Sequence, residues 1–109
     1  MSDDKEKIRA LNDDLRQHLP GRDTVLTPGI AALGQEAIIR LVQAIAIFDD
    51  FCAANDPHNE HDFGAFDFEG ARVMFKIDYY DKDLRFHSPD PADAAVTERV
   101  ITIMLADEY

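Results

Sequence analysis

A chain of 109 residues, nearly half of them apolar, has the length and hydrophobic content of one folded domain, expected over residues 1–109. Its 22 acidic side chains against 11 basic ones leave a net charge of −11, which argues against direct binding to nucleic acid or an anionic membrane, since both need a basic face. The one cysteine, Cys52, rules out a disulfide framework and a CxxC metal motif.

The opening MSDDKEKIRA is too charged for a signal peptide, and no apolar run approaches the length of a membrane span. The expected compartment is the cytoplasm. Residues 3–19 read as an amphipathic helix: Ile8, Leu11, Leu15 and Leu19 recur at spacings of three and four and form a narrow apolar stripe. Ser2, Asp3 and Asp4 supply a cap and negative charge at its start, and Pro20-Gly21 stops it. Thr24 to Thr27 is a candidate short strand ended by Pro28-Gly29. Residues 35–54 form the strongest helix, with Ile38, Leu41, Val42, Ile45, Phe48 and Cys52 on one face. Ile39, Ala46, Ile47 and Phe51 widen that face, so the helix is expected at the spine of the core, with Cys52 as a buried, inert thiol.

A hairpin follows. FGAFDF and ARVMFKIDYY flank Glu69-Gly70, a two-residue turn with glycine where positive φ is needed. Pairing across it sets Phe68 opposite Ala71, Asp67 opposite Arg72 and Phe66 opposite Val73, so opposite charges meet on one face and apolar groups on the other. A second turn at Asp81-Lys82 would set Tyr79 opposite Leu84, Asp78 opposite Arg85 and Ile77 opposite Phe86. The pattern predicts an antiparallel three-stranded meander over residues 63–87. In SPDPADAAVTERVITIMLADEY, Asp90 as cap, Pro91 at the first helical position and Asp93 in the first turn predict a closing helix. Val96, Val100, Ile103 and Met104 would face the core, broadened by Ile101 and Leu105. The expected fold is therefore α+β: a three-stranded antiparallel meander, with a fourth short strand at 24–27, and about three helices on one face.

NDPHNEHDFGAF, residues 55–66, holds the densest group of chemically active side chains. Imidazoles and carboxylates are competent metal ligands, and His58 and His61 are the candidates. Their spacing is not HExxH, however, and the segment reads as a loop with no preset ligand face. If the strand extends back to His61, the meander register sets that residue opposite Asp78. It would then gather His61, Lys76, Asp78, Tyr80, Arg85 and His87 into one polar field on the outer sheet face. An imidazole beside a carboxylate can serve as a tuned base, or equally as a cross-strand pair that fixes register. No nucleophile elbow, phosphate loop, dinucleotide fingerprint or Ser/His/Asp order is present, so no catalytic residue and no cofactor is assigned.

From Leu41 to Ala71 there is no lysine or arginine, while Asp49, Asp50, Asp56, Glu60, Asp62, Asp67 and Glu69 all fall within the stretch. Clustered exposed carboxylates steer basic partners and can imitate a phosphate backbone; a solvated acidic loop without a partner has the same composition.

TPGIAALG, FDDFCAANDPHNEHDFGAF, FKIDYYD and SPDPADAAVTERVITIMLADEY resemble the bacterial family known as domain of unknown function 3768. The resemblance implies a small cytosolic protein of a kind often carried on plasmids or other mobile elements, and supplies no catalytic residue. Charge and resemblance together lead to the expectation of a non-enzymatic acidic binding protein, an inhibitor or decoy acting on a basic nucleic-acid-handling protein. The alternatives are a small metal-dependent or acid–base enzyme using His58, Glu60, His61 and Asp78, and a homodimeric structural module.

Overall fold

The computed structural model describes residues 2–19, 21 and 23–109, the side chains of residues 2 and 3 excepted. In chain order the elements are helix α1 (Ser2–Gln17), strand β1 (Thr24–Leu26), a single-turn helix α2 (Pro28–Ala31), helix α3 (Gln35–Ala46), and strands β2 (Phe63–Phe68), β3 (Ala71–Tyr80) and β4 (Glu98–Leu105). The fold is α+β, with a four-stranded mixed sheet ordered β1-β4-β3-β2. β1 runs parallel to β4, and the other two pairings are antiparallel. No helix among the described residues is long and apolar enough to cross a membrane. The caps expected from Ser2 and Asp3, and the stop at Pro20, fall outside what is described.

The first hairpin has the register that its charges and turn require: Phe68 faces Ala71, Asp67 faces Arg72 and Phe66 faces Val73. Glu69 and Gly70 both take positive φ, as a tight turn of this kind demands. Along β3 the odd positions Val73, Phe75, Ile77 and Tyr79 are buried. They join Ile101 and Ile103 of β4, Leu41, Val42 and Ile45 of α3, Ile8 of α1 and Ile30 of α2 in one core. Removing each such side chain from water contributes about 1.5–3 kcal/mol.

The third strand is the main correction. Tyr79, Asp78 and Ile77 face Arg99, Val100 and Ile101 of β4, not Leu84, Arg85 and Phe86. Residues 81–87 instead close on themselves: Asp81 N–H donates to the Phe86 carbonyl, Asp81 Oδ1 accepts from Arg85 N–H, and Leu84 sits at φ +58°. Only Tyr80 and His87 form a bridge. The segment expected to close the chain as a helix is β4 itself. Asp90 and Asp93 do accept backbone N–H groups, from Ala92 and Ala95, but Asp93 caps only a short turn at Ala94–Val96 and Asp90 only the bend before it. The β-branched run Val100-Ile101-Thr102-Ile103 then takes the free edge of β3, where branched side chains pack well. Ile101 and Ile103 point to the helices, while Val100 and Met104 lie on the opposite face of the sheet.

α3 is shorter than the predicted 35–54. Arg16 of α1 holds its end: Nη1 donates to the carbonyl of Ile45 (2.8 Å), which also accepts from Phe48 N–H, and to that of Phe48 (3.0 Å) just beyond the helix. Asp49 and Asp50 would also face the negative end of the helix dipole if the helix went on. Cys52 therefore lies in the loop beyond and is exposed, contrary to the buried thiol expected. Ile39 and Ile47 are exposed as well.

Gly64 is where β2 comes closest to the core. A Cβ there would lie 2.6 Å from a Phe48 ring carbon and closer still to the Phe75 ring. Gly64→Ala is expected to cost about 1–3 kcal/mol through overpacking, measured as a lower urea midpoint.

Candidate functional site

The loop between α3 and β2 carries the histidine–carboxylate cluster, and the structure folds it inward. Asp56 is buried, and its two carboxylate oxygens accept the N–H groups of Glu60 (2.9 Å) and His61 (3.0 Å). Asn59 and His61 both adopt positive φ. That bend turns the His61 ring away from the outer sheet face and toward α1. The ring stacks on Phe51 at 3.9 Å between centroids, and its Nδ1 lies 2.8 Å from Asp13 Oδ1. Asp13 also takes Arg16 Nη2 at 2.6 Å, and the Arg16 guanidinium sits over the rings of Phe51 and Phe75.

Beside this lies a buried polar junction. Asn12 is fully buried, and its Nδ2 donates to the Tyr79 hydroxyl (2.8 Å) and to the Glu60 carbonyl (3.0 Å). The Tyr79 hydroxyl donates in turn to Glu60 Oε1 (2.9 Å). Asn12 Oδ1 accepts from Arg99 Nε (2.9 Å), and Arg99 Nη2 donates to the Pro91 carbonyl. Thus α1, the 55–62 loop, β3, β4 and the segment before β4 meet at one asparagine. Burial, with Glu60 as acceptor, raises the Tyr79 hydroxyl above its ordinary range, and burial lowers Arg99. Tyr79 therefore keeps its proton, and these groups serve as fixed donors and acceptors that tie five segments together.

None of Asn12, Asp13, Arg16, Tyr79 and Arg99 was a sequence candidate. The apolar stripe of α1 names Ile8, Leu11 and Leu15, yet the buried positions are Ile8, Asn12 and Arg16, four residues apart. That spacing is the signal available in the sequence: two polar side chains, Asn12 and Arg16, continuing the line of a core isoleucine.

The cluster proposed for acid–base chemistry is split. His58 is exposed, Glu60 binds Tyr79, His61 binds Asp13, and Asp78 lies on the outer face 3.5 Å from Lys76. The six-residue polar field does not assemble either. Lys76, Asp78 and Tyr80 share the outer face, but their β4 neighbours are Thr102, Val100 and Glu98. Arg85 lies in the 81–87 loop, His87 ends it, and His61 is on the helical side. Among the described residues, no group of three His, Cys, Asp or Glu side chains is placed to hold a metal ion.

The seven acids of the base-free stretch also divide. Asp56 and Glu60 work inside the fold. Asp67 is held by Arg72 at 3.2 Å, and Glu69 takes both Nε (2.6 Å) and Nη2 (3.0 Å) of Arg40, which lowers its pKa. Asp49 and Asp50 stand exposed at the end of α3. Asp62 is half-buried; burial first, then the carboxylates of Glu60 and Asp56, raises its pKa. A carboxyl raised in the folded state favours folding most at low pH, and loses that contribution as pH rises through the folded value. Asp62→Asn is therefore expected to raise the melting temperature at pH 7 and to leave it unchanged at pH 3, as read by thermal scans at both pH values.

Among the described residues, no α-helix packs on the outer face of the sheet. Phe63, Ala65, Met74, Val100, Thr102 and Met104 line its centre, and Val25 is exposed at the β1 end. The Tyr109 ring lies edge-on to Phe63 with centroids 6.3 Å apart. Glu108 anchors this segment by accepting from Thr27 Oγ1 (2.6 Å), Gly29 N–H (2.9 Å) and Leu105 N–H (2.9 Å), which lowers its pKa.

No curated protein and no solved structure matches the chain. A family model does, over residues 26–108, a span that opens in β1 and leaves α1, with Asn12 and Arg16, ahead of it. That match covers most of the sequence, and the chain belongs to the family described as "Protein of unknown function (DUF3768)".

Proposed function

We propose that this chain is a non-enzymatic acidic binding protein whose partner is a basic protein of the nucleic-acid-handling kind, met in the cytoplasm. On this reading it acts as an inhibitor or decoy of the sort mobile elements carry. The observation that supports it is where the cations go. Arg16 and Arg99 are spent inside the fold, and Arg40, Arg72, Lys76 and Lys82 are each held by a carboxylate. The excess acid is left on the surface, where Glu36, Asp49, Asp50, Asp83 and Asp107 are exposed. Such a surface accelerates encounter with a basic protein and repels nucleic acid. The separation of His58, Glu60, His61 and Asp78 weighs against the enzymatic alternative.

The test is capture from a host lysate at low and at moderate salt, read by mass spectrometry, with Asp49→Lys/Asp50→Lys alongside. The expected result is a basic, nucleic-acid-handling protein retained at low salt, released at higher salt, and held at least tenfold less by the double variant. Electrostatic attraction between exposed groups is screened over roughly 10 Å at 0.1 M salt. Absence of any salt-sensitive basic partner would overturn the proposal.

A further inference from the structure

We infer that β2 is a pairing edge, through which two copies of this chain join into one continuous sheet. The strand order leaves β1 and β2 at the two edges. β1 is only three residues long and runs into Thr27 and Pro28, a short edge of the kind that resists pairing. β2 is six residues long, pairs with β3 without a bulge, and contains no lysine, arginine or proline. Its one charged side chain is Asp67, at the hairpin end, so most of the edge lacks the devices that usually blunt one.

The backbone geometry is specific. Ile77 N–H donates to the Asp62 carbonyl at 2.8 Å, so Asp62, Gly64, Phe66 and Phe68 are the positions that exchange hydrogen bonds with β3. In an antiparallel ladder the alternate residues face the other way. Phe63, Ala65 and Asp67 therefore direct their N–H and C=O groups outward, where they find no partner among the described residues. A two-fold axis at Ala65 sets Ala65 opposite Ala65 of the second copy, and Phe63 opposite its Asp67. All the outward groups are then satisfied by about six backbone bonds, and no charge meets its like across the pair.

Local charge makes this edge approachable despite the net charge of −11. The two carboxylates at the hairpin, Asp67 and Glu69, are already held by Arg72 and Arg40. The axis stands perpendicular to the sheet, so both helical layers remain on one side. Phe48, two residues beyond α3, packs on Phe66 at 5.6 Å, so the end of that helix is carried toward its counterpart. The second copy thus fits this edge better than a basic partner does, and this inference stands or falls separately from the function proposed above.

The test is sedimentation of the full chain over a range of concentrations. The expected result is a dimer at about 100 µM that dissociates on dilution, as the small area of an edge contact implies. Ala65→Pro removes an N–H that only the second copy would use, and proline is tolerated on an edge strand when that N–H faces outward. It should weaken the dimer at least tenfold and leave the far-ultraviolet circular dichroism of the monomer unchanged. Should Ala65→Pro fail to fold, cysteine cross-linking decides. With Cys52→Ser as background, Ala65→Cys should oxidise to a covalent dimer, and Ala95→Cys, in the short turn before β4, should not. A wild-type monomer at 100 µM, a dimer that folded Ala65→Pro leaves intact, or equal cross-linking at both positions would overturn the inference.

Discussion

Asn12→Leu is expected to lower the free energy of unfolding by about 3 kcal/mol, the signature of buried polar groups left without partners. Leucine fits the space but offers no hydrogen bond. Arg99 Nε loses its acceptor, the Glu60 carbonyl loses its donor, and the Tyr79 hydroxyl keeps only Glu60. Each orphaned group costs about 1–3 kcal/mol, offset in part by the added apolar burial. For a domain of this size the melting temperature should fall by about 15 °C. Urea denaturation followed by circular dichroism measures the loss directly. Asn12→Leu and Arg99→Met share a bond, so their costs should sum to more than that of the double variant. A loss within 1 kcal/mol of zero for Asn12→Leu, on the scale of a surface change, would refute the junction as a lock.

Phe75→Ala should be costlier, about 4 kcal/mol, because the ring is fully buried and its neighbours cannot collapse into the space. It meets Phe48 edge-on at 5.5 Å, lies under the Arg16 guanidinium, and fills the position where Gly64 has no side chain. The last contact gives a coupled test. Gly64→Ala should cost less than half as much in the Phe75→Ala background, since the ring that its Cβ would strike is gone. Equal cost in both backgrounds would mean that Phe48 alone sets the constraint. With total stabilities of small domains near 5–15 kcal/mol, Phe75→Ala should leave a chain close to its unfolding threshold at body temperature.

The β2–β3 hairpin was legible because three local signals agree: Glu69-Gly70 permits the turn, Asp67 meets Arg72, and Phe66 meets Val73. The end of the chain was not, because its signals conflict. Pro91, Asp90 and Asp93 announce a helix, and the apolar spacing from Val96 to Met104 fits one, while Val100 to Ile103 prefers a strand. The vacant edge of β3 decides between them, and that edge is a tertiary fact. His61 shows the same limit on a smaller scale. The predicted register was sound up to Phe63, but positive φ at His61 reversed the side chain and moved it from an outer field to an inner contact with Asp13. The polar junction escaped notice because nothing in α1 marks Asn12 or Arg16 as buried except their spacing from Ile8.

The central position of β4 has a consequence for how the chain is made. β1 can pair only with Ile101 to Ile103, most of the chain away, so its hydrogen bonds must wait until those residues have left the ribosome. The β2–β3 hairpin needs nothing beyond Tyr80 and can form well before. Until β4 arrives, the nascent hairpin presents two bare edges instead of one, together with the apolar side chains that β4 will cover. Contacts of such long sequence separation close slowly. The interval between synthesis of β3 and insertion of β4 is therefore when this chain is most open to misassociation, and a translational pause after Tyr80 should lengthen it.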